Sequence, residues 1–175
     1  MRTTGNRLMI ATAHSGKRGA QKRTRSGPAE TLQFLGILWA LDQELRALSK
    51  RMHLHLGVTG PQRLAIRIIG RSDSLPAGAL ASALHLHPST VTGVVMRLSR
   101  AGLVRRRRDP GDGRRVLLAL TARGARIDRH HRGTVEAAVS RALRDLHPGQ
   151  LAAARDVLER LRQSVARERT SGASA

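Results

Sequence analysis

From Glu30 to Met52 the apolar positions Leu35, Leu38, Leu41, Leu45, Leu48 and Met52 recur every three or four residues, which places them along one face of a helix. Phe34 and Trp39 widen that stripe, so this helix is expected to be covered on two sides, by its own core and by a second subunit. Leu56-Gly57 ends it. Thr59-Gly60-Pro61-Gln62 has the form of a capping box and opens a second helix, with Leu64, Ala65, Ile68 and Ile69 expected on its buried face and a stop near Gly70. A third helix is expected to start at Leu75-Pro76, with Leu80, Ala81 and Leu84 facing inward. After a short turn at His85-Leu86-His87, Pro88 suits the first position of a fourth helix. Val91, Val94, Val95 and Leu98 form its core side, and Gly102 suits a left-handed C-terminal cap.

The period then changes. Leu103 to Arg108 and Arg114 to Leu120 predict two strands joined by a turn at Asp109-Pro110-Gly111-Asp112-Gly113. Val116, Leu118 and Leu120 alternate, as in a strand packed on one face. Thr121 is placed to cap a helix expected to run to about Leu146, with Ile127, Val135, Val139, Ala142 and Leu146 along one side. His147-Pro148-Gly149 breaks it. The last helix spaces Leu151, Ala154, Leu158, Leu161 and Val165 like a heptad seam. The pattern predicts a mainly α protein with one small β hairpin, and the sequence holds no internal repeat.

Charge narrows the choice of partner. The chain has 175 residues, enough for one domain with a real core, and its 32 Lys and Arg against 12 Asp and Glu leave a net charge of +20. Neutralising phosphates with Lys and Arg releases counterions, so this imbalance points to a polyanion. With no cysteine, disulfides and thiolate metal sites are excluded. No apolar run approaches the length of a membrane span, and the basic N-terminus lacks the apolar core of a secretory signal, so a cytoplasmic location is expected. One Phe, one Trp and no Tyr leave no aromatic platform for stacking single-stranded bases, which favours a duplex. Residues 1–29 carry Arg2, Arg7, Lys17, Arg18, Lys22, Arg23 and Arg25 with no acid, and read as a disordered basic arm, either a solvated tail or a DNA-contacting segment. Residues 170–175 read as a frayed tail.

The fourth helix carries the candidate chemistry. Opposite its core side lie Ser89, Thr90, Thr92, Gly93, Met96 and Arg97. The short side chains let the helix backbone approach a groove, and their hydroxyls suit phosphates or base edges. Arg105, Arg106, Arg107 and Arg108 alternate across the first strand, so about half are expected to face DNA. The pairs His53/His55, His85/His87 and His130/His131 lack helical ligand spacing and have few acids nearby, so solvated or capping roles outweigh metal binding. No phosphate loop, nucleophile elbow or paired carboxylates point to an enzyme, and no cofactor is implied.

The ordered set resembles the MarR family of bacterial winged helix-turn-helix regulators. Asp112-Gly113-Arg114 followed after five residues by Leu120-Thr121 matches the family's D-x-R-x5-L-T wing pattern. Leu80-Ala81 and Leu84, then Pro88 to Thr92 and Arg97-Leu98, then Gly102 to Arg105, match the helix-turn-helix and the strand after it. Two positions depart from the pattern: His87 stands where Asp, Asn or Ser is expected, and Met96 where an acid is common. The resemblance implies a DNA-binding core at 59–121 within a domain at 30–169, with dimerisation helices at 30–53 and 122–169. It implies that Asp112 braces Arg114, with Arg115 beside it, in a wing that enters a minor groove. It further implies a homodimer on a palindromic double-stranded operator, acting as a repressor and released by a small anionic or phenolic effector. A low-specificity architectural DNA-coating protein, driven by the charge, is the competing reading.

Overall fold

The computed structural model describes residues 27–172. The described residues fall into two units, divided between residues 37 and 38. Of the first, the described residues are the opening of helix α1 (Pro28–Leu56). Within α1 the predicted stripe is graded. Met52 is buried, Leu35, Leu38, Leu45 and Leu48 are half-buried, and Phe34, Trp39 and Leu41 are exposed.

The second unit holds the core. Helix α2 (Gly60–Ile69) begins after Thr59, whose N–H donates to Gln62 Oε1 at 2.9 Å, as the capping pattern predicts. Its buried face differs from the expected one. Ala65, Ile66 and Ile69 are buried with Arg63, Ile68 is half-buried, and Leu64 is exposed. The face is rotated because Arg63 is drawn inward by partners on later helices.

Leu75-Pro76 is a two-residue strand, β1, rather than a helix start, and helix α3 (Ala77–Leu84) follows it. Proline disfavours helical backbone in the residue before it, which leaves Leu75 extended and free to pair. The turn ending α3 bends at His85, with φ 51°, and helix α4 (Pro88–Arg100) starts at Pro88. Val91, Val94, Val95 and Leu98 are its buried residues, as predicted, and Gly102 takes the left-handed cap at φ 66°.

Strands β2 (Val104–Arg108) and β3 (Val116–Leu120) pair antiparallel, and β3 is central in the order β1-β3-β2. Arg114 and Arg115 belong to the turn, not to the second strand. Leu117, Leu118 and Ala119 of β3 are all buried, in place of the alternation expected of a strand packed on one face.

The helix expected from Thr121 to Leu146 is two helices, α5 (Ala122–Arg129) and α6 (Val135–Leu143). Gly133 takes φ 66° between them, and the Thr134 hydroxyl caps α6 by accepting from Ala137 N–H at 3.3 Å. The carbonyls at the end of α5 are met by the fully buried Arg63, which donates to the Ile127, Asp128 and His130 oxygens and to Glu136 Oε1 at 2.6 Å, beside the His130 N–H on Ile127 O and Arg67 on Asp128 O. Helix α7 (Pro148–Ser171) follows the break at His147 and keeps residues 170 and 171 helical, where fraying was expected. Its Leu151 and Leu161 are half-buried, and Leu158 and Val165 are exposed.

The core joins α2, α3, α4 and the sheet through Val58, Ile66, Ile69, Leu80, Val95 and Leu118, with Leu103 and Val104 at the base of the hairpin. No described helix is long and apolar enough to cross a membrane.

Candidate nucleic-acid interface

The outward side of α4 is held in place from behind and capped at its end. Four buried residues anchor its inner face, and His87 closes its N-terminus. The His87 ring accepts from Ser89 N–H through Nδ1 at 3.4 Å and lies 2.8 Å from Ser89 Oγ. The histidine thus does what the expected Asp, Asn or Ser would do, and Ser89 is half-committed to the cap. The Thr92 hydroxyl donates to Pro88 O at 2.9 Å, which leaves its lone pairs and methyl outward. Ser89, Thr90, Thr92 and Arg97 are exposed and Gly93 is half-exposed, so all five reach one solvent-facing side of the helix. Met96 and Arg100 share that side, and Arg100 was not among the expected residues.

The wing stands beside this helix. A small cleft lined by Thr92 and Val95 of α4 and by Arg106, Val116 and Leu118 of the sheet joins the two. All four arginines of β2 are exposed. The register divides them: Arg106 and Arg108 pair with Leu118 and Val116, whereas Arg105 and Arg107 pair with Ala119 and Leu117. Arg106 and Arg108 therefore share the face that lines the cleft.

At the tip, Asp109 Oδ1 accepts from Gly111 N–H at 2.9 Å and Asp109 N–H donates to Arg115 O at 3.0 Å, which folds the loop back on itself. Asp112 braces this loop in a different way from the expected one. Its Oδ1 accepts from the backbone N–H of Arg114 at 3.1 Å, and its Oδ2 pairs with the guanidinium of Arg115 at 3.1 Å. The Arg114 side chain is exposed and has no carboxylate partner among the described residues.

Thr121 and Gly124 fix the wing to the rest of the unit. Thr121 Oγ1 donates to Gly102 O at 2.7 Å and accepts from Gly124 N–H at 3.0 Å. A Cβ on Gly124 would overlap the Leu103 carbonyl oxygen. The Leu-Thr end of the wing pattern is thus a helix cap and a clamp on the base of the hairpin. The need for glycine three residues later is visible only from the packing.

Three histidines have local roles. His87 and His147 cap α4 and α7, and His130 Nε2 lies 2.9 Å from Arg132 O. Among the described residues no three His, Asp or Glu converge as metal ligands.

A second feature lies away from the wing. Helices α1, α2 and α6 border a cleft of about 900 Å3, lined by Leu45, Leu64, Leu86 and Val139 together with Lys50 and His53. On α7, hydrogen bonds from Arg162 and then Gln163 hold the exposed Glu159 carboxyl at about 2, well below its ordinary range.

A helix-turn-helix whose second helix presents a polar outer side, flanked by an arginine-bearing hairpin, defines a winged helix-turn-helix module. The MarR family model matches residues 58–116. An organic hydroperoxide resistance transcriptional regulator of Bacillus subtilis is 31% identical over 53% of this chain, and the match spans 63% of that protein. An HTH-type transcriptional repressor of Mycobacterium tuberculosis is 31% identical over 61% of this chain and 76% of its own length. The crystal structure of the PcaV transcriptional regulator of Streptomyces coelicolor, in complex with its natural ligand, is 26% identical, with 80% of this chain and 94% of that one covered at a TM-score of 0.59. The chain belongs to the MarR family of transcriptional regulators. Its relatives and its fold are those of DNA-binding regulators and not of enzymes.

Proposed function

We propose that this protein represses transcription by binding, as a two-fold homodimer, an inverted repeat in double-stranded DNA, and that a small anionic or phenolic effector releases it. The observation that carries this reading is the outer side of α4, where Ser89, Thr90, Thr92 and Gly93 are short and polar over a rigidly buried inner face. A helix with that profile enters a major groove closely, and the exposed Arg114 at the wing tip suits the narrow minor groove beside it. Residues 59–121 form the reading module in this account, with the segments 30–53 and 122–169 as the dimerisation helices. Trp39 at 63% and Leu158 at 54% exposure support the second assignment, because apolar surface of that size on helices seeks a partner. DNA binding places its work in the cytoplasm.

The cleft between α1, α2 and α6 supports the effector. Apolar walls suit an aromatic ring, and Lys50, which has no carboxylate partner among the described residues, suits a carboxylate or phenolate. The cleft borders α6, which follows the wing through α5, so a ligand there can bias the position of the wing.

Selection from random duplexes at about 150 mM salt, where non-specific binding is weakened, tests the reading. The expected product is a palindrome with half-sites about one turn, roughly 34 Å, apart. Retention with no enriched motif favours the low-specificity architectural reading, for which the net charge of +20 is the supporting fact.

A further inference from the structure

The outer side of α4 holds one large apolar side chain. With 3.6 residues per turn, positions 89, 93, 96 and 100 lie opposite the buried Val91, Val94, Val95 and Leu98. Those positions are Ser89, Gly93, Met96 and Arg100, and Met96 is 38% exposed. Nothing in the core requires methionine there. Long helical side chains lean toward the N-terminus, so Met96 covers the patch over Thr92 and Gly93. That patch has room, since Gly93 has no side chain and its nearest neighbour is the Arg97 guanidinium, 3.7 Å from where a Cβ would sit.

We infer that Met96 is a specificity-determining residue that packs its thioether against a thymine C5-methyl in each half-site. The inference rests on the operator-binding reading above. In the major groove, thymine is the base that offers an apolar group, and the other edge groups donate or accept hydrogen bonds. A thioether is a weak acceptor and donates nothing, so it gains little from those other edges. The side chain is flexible and polarizable, which suits a contact made only when the groove arrives. Thr92, with its hydroxyl proton bound to Pro88 O, presents its methyl and lone pairs next to the same spot.

The test replaces each thymine of the selected half-site, one at a time and in both half-sites, with deoxyuridine, which removes only the methyl. Affinities are then measured for the full-length protein and for Met96→Gln, a polar substitution of similar length at an exposed position. The wild type is expected to lose about four-fold per half-site at one thymine, the effect of one methyl-sized group returned to water. Met96→Gln is expected to bind the thymine duplex more weakly and to be indifferent to deoxyuridine at that same position. A wild type insensitive to deoxyuridine everywhere overturns the inference while leaving sequence-specific binding intact. So does a Met96→Gln protein that keeps the full deoxyuridine penalty, because another residue then reads the methyl. A selection that enriches no sequence overturns this inference together with the reading beneath it.

Discussion

A guanidinium shielded from solvent must find partners inside the protein for its N–H groups, and Arg63 makes four hydrogen bonds at the joint between α5 and α6. Three carbonyls at the end of α5 and the Glu136 carboxylate converge on it, so one side chain closes a helix end and ties α2 to both later helices. Arg63→Met would leave the His130 carbonyl unpaired, take one donor each from the Ile127 and Asp128 carbonyls, and leave Glu136, 29% exposed, without its cation. We expect a loss of about 3 kcal/mol, read as a lower urea midpoint at fixed protein concentration, and an unchanged midpoint would refute this account. The two wing-tip arginines differ in their partners. Arg115 is paired with Asp112 and Arg114 is not, so Arg114 is the side chain free to enter a groove. Arg114→Ala should lower operator affinity by about 1–3 kcal/mol. Asp112→Ala should cost less, by loosening the Arg114 backbone and freeing Arg115. Titration of labelled operator with each variant checks the order, and equal binding by Arg114→Ala and wild type removes the wing role.

Helices α6 and α7 have no buried residue, yet Val139 and Leu143 on α6, Leu158 on α7 and Leu146 between the two helices lie exposed. If a second copy covers this surface, Leu158→Asp and Leu161→Asp place a charge in the interface and should weaken dimerisation and DNA binding together. Sedimentation at micromolar concentration measures the first, and a wild-type protein that stays monomeric there would sink the dimer. At this scale much of the molecule was legible in the sequence. The inner face of α4, the Gly102 cap, the hairpin and the break at His147 follow from local pattern, because each depends on residues close together in the chain. The elements that differ depend on distant partners. Leu75-Pro76 becomes a strand because β3 lies ready to pair with it. The buried face of α2 turns toward carbonyls about sixty residues away, which no period within α2 reveals. The α5–α6 break had a local signal in Gly133 and Thr134, overridden by an apolar spacing that runs across it. At the interface, the residue types on α4 were legible, but the partner of Asp112 was not, since two neighbouring arginines compete for one carboxylate.

For the whole molecule, charge sets how binding responds to salt. Residues 1–26 lie outside the described part of the chain and contribute seven of its positive charges with no acid. If they lie along the DNA backbone, each phosphate they neutralise adds about 0.9 to the slope of log affinity against log salt. Removing 1–26 should then make that slope shallower by up to about six per chain. Specific and non-specific duplexes should lose the same amount, because phosphate contacts position a protein without reading sequence. The ratio of the two affinities should therefore hold while both fall. Thr90→Ala with Thr92→Ala should do the reverse, eroding the ratio while leaving the slope nearly as it was. Affinities for the selected operator and a scrambled duplex at several salt concentrations give both quantities from one experiment. An unchanged slope after truncation would make the arm a solvated tail, and the affinity would then rest on the wing arginines and α4. A ratio that collapses with the arm removed would mean that it reads sequence, as an arm placed in a minor groove does.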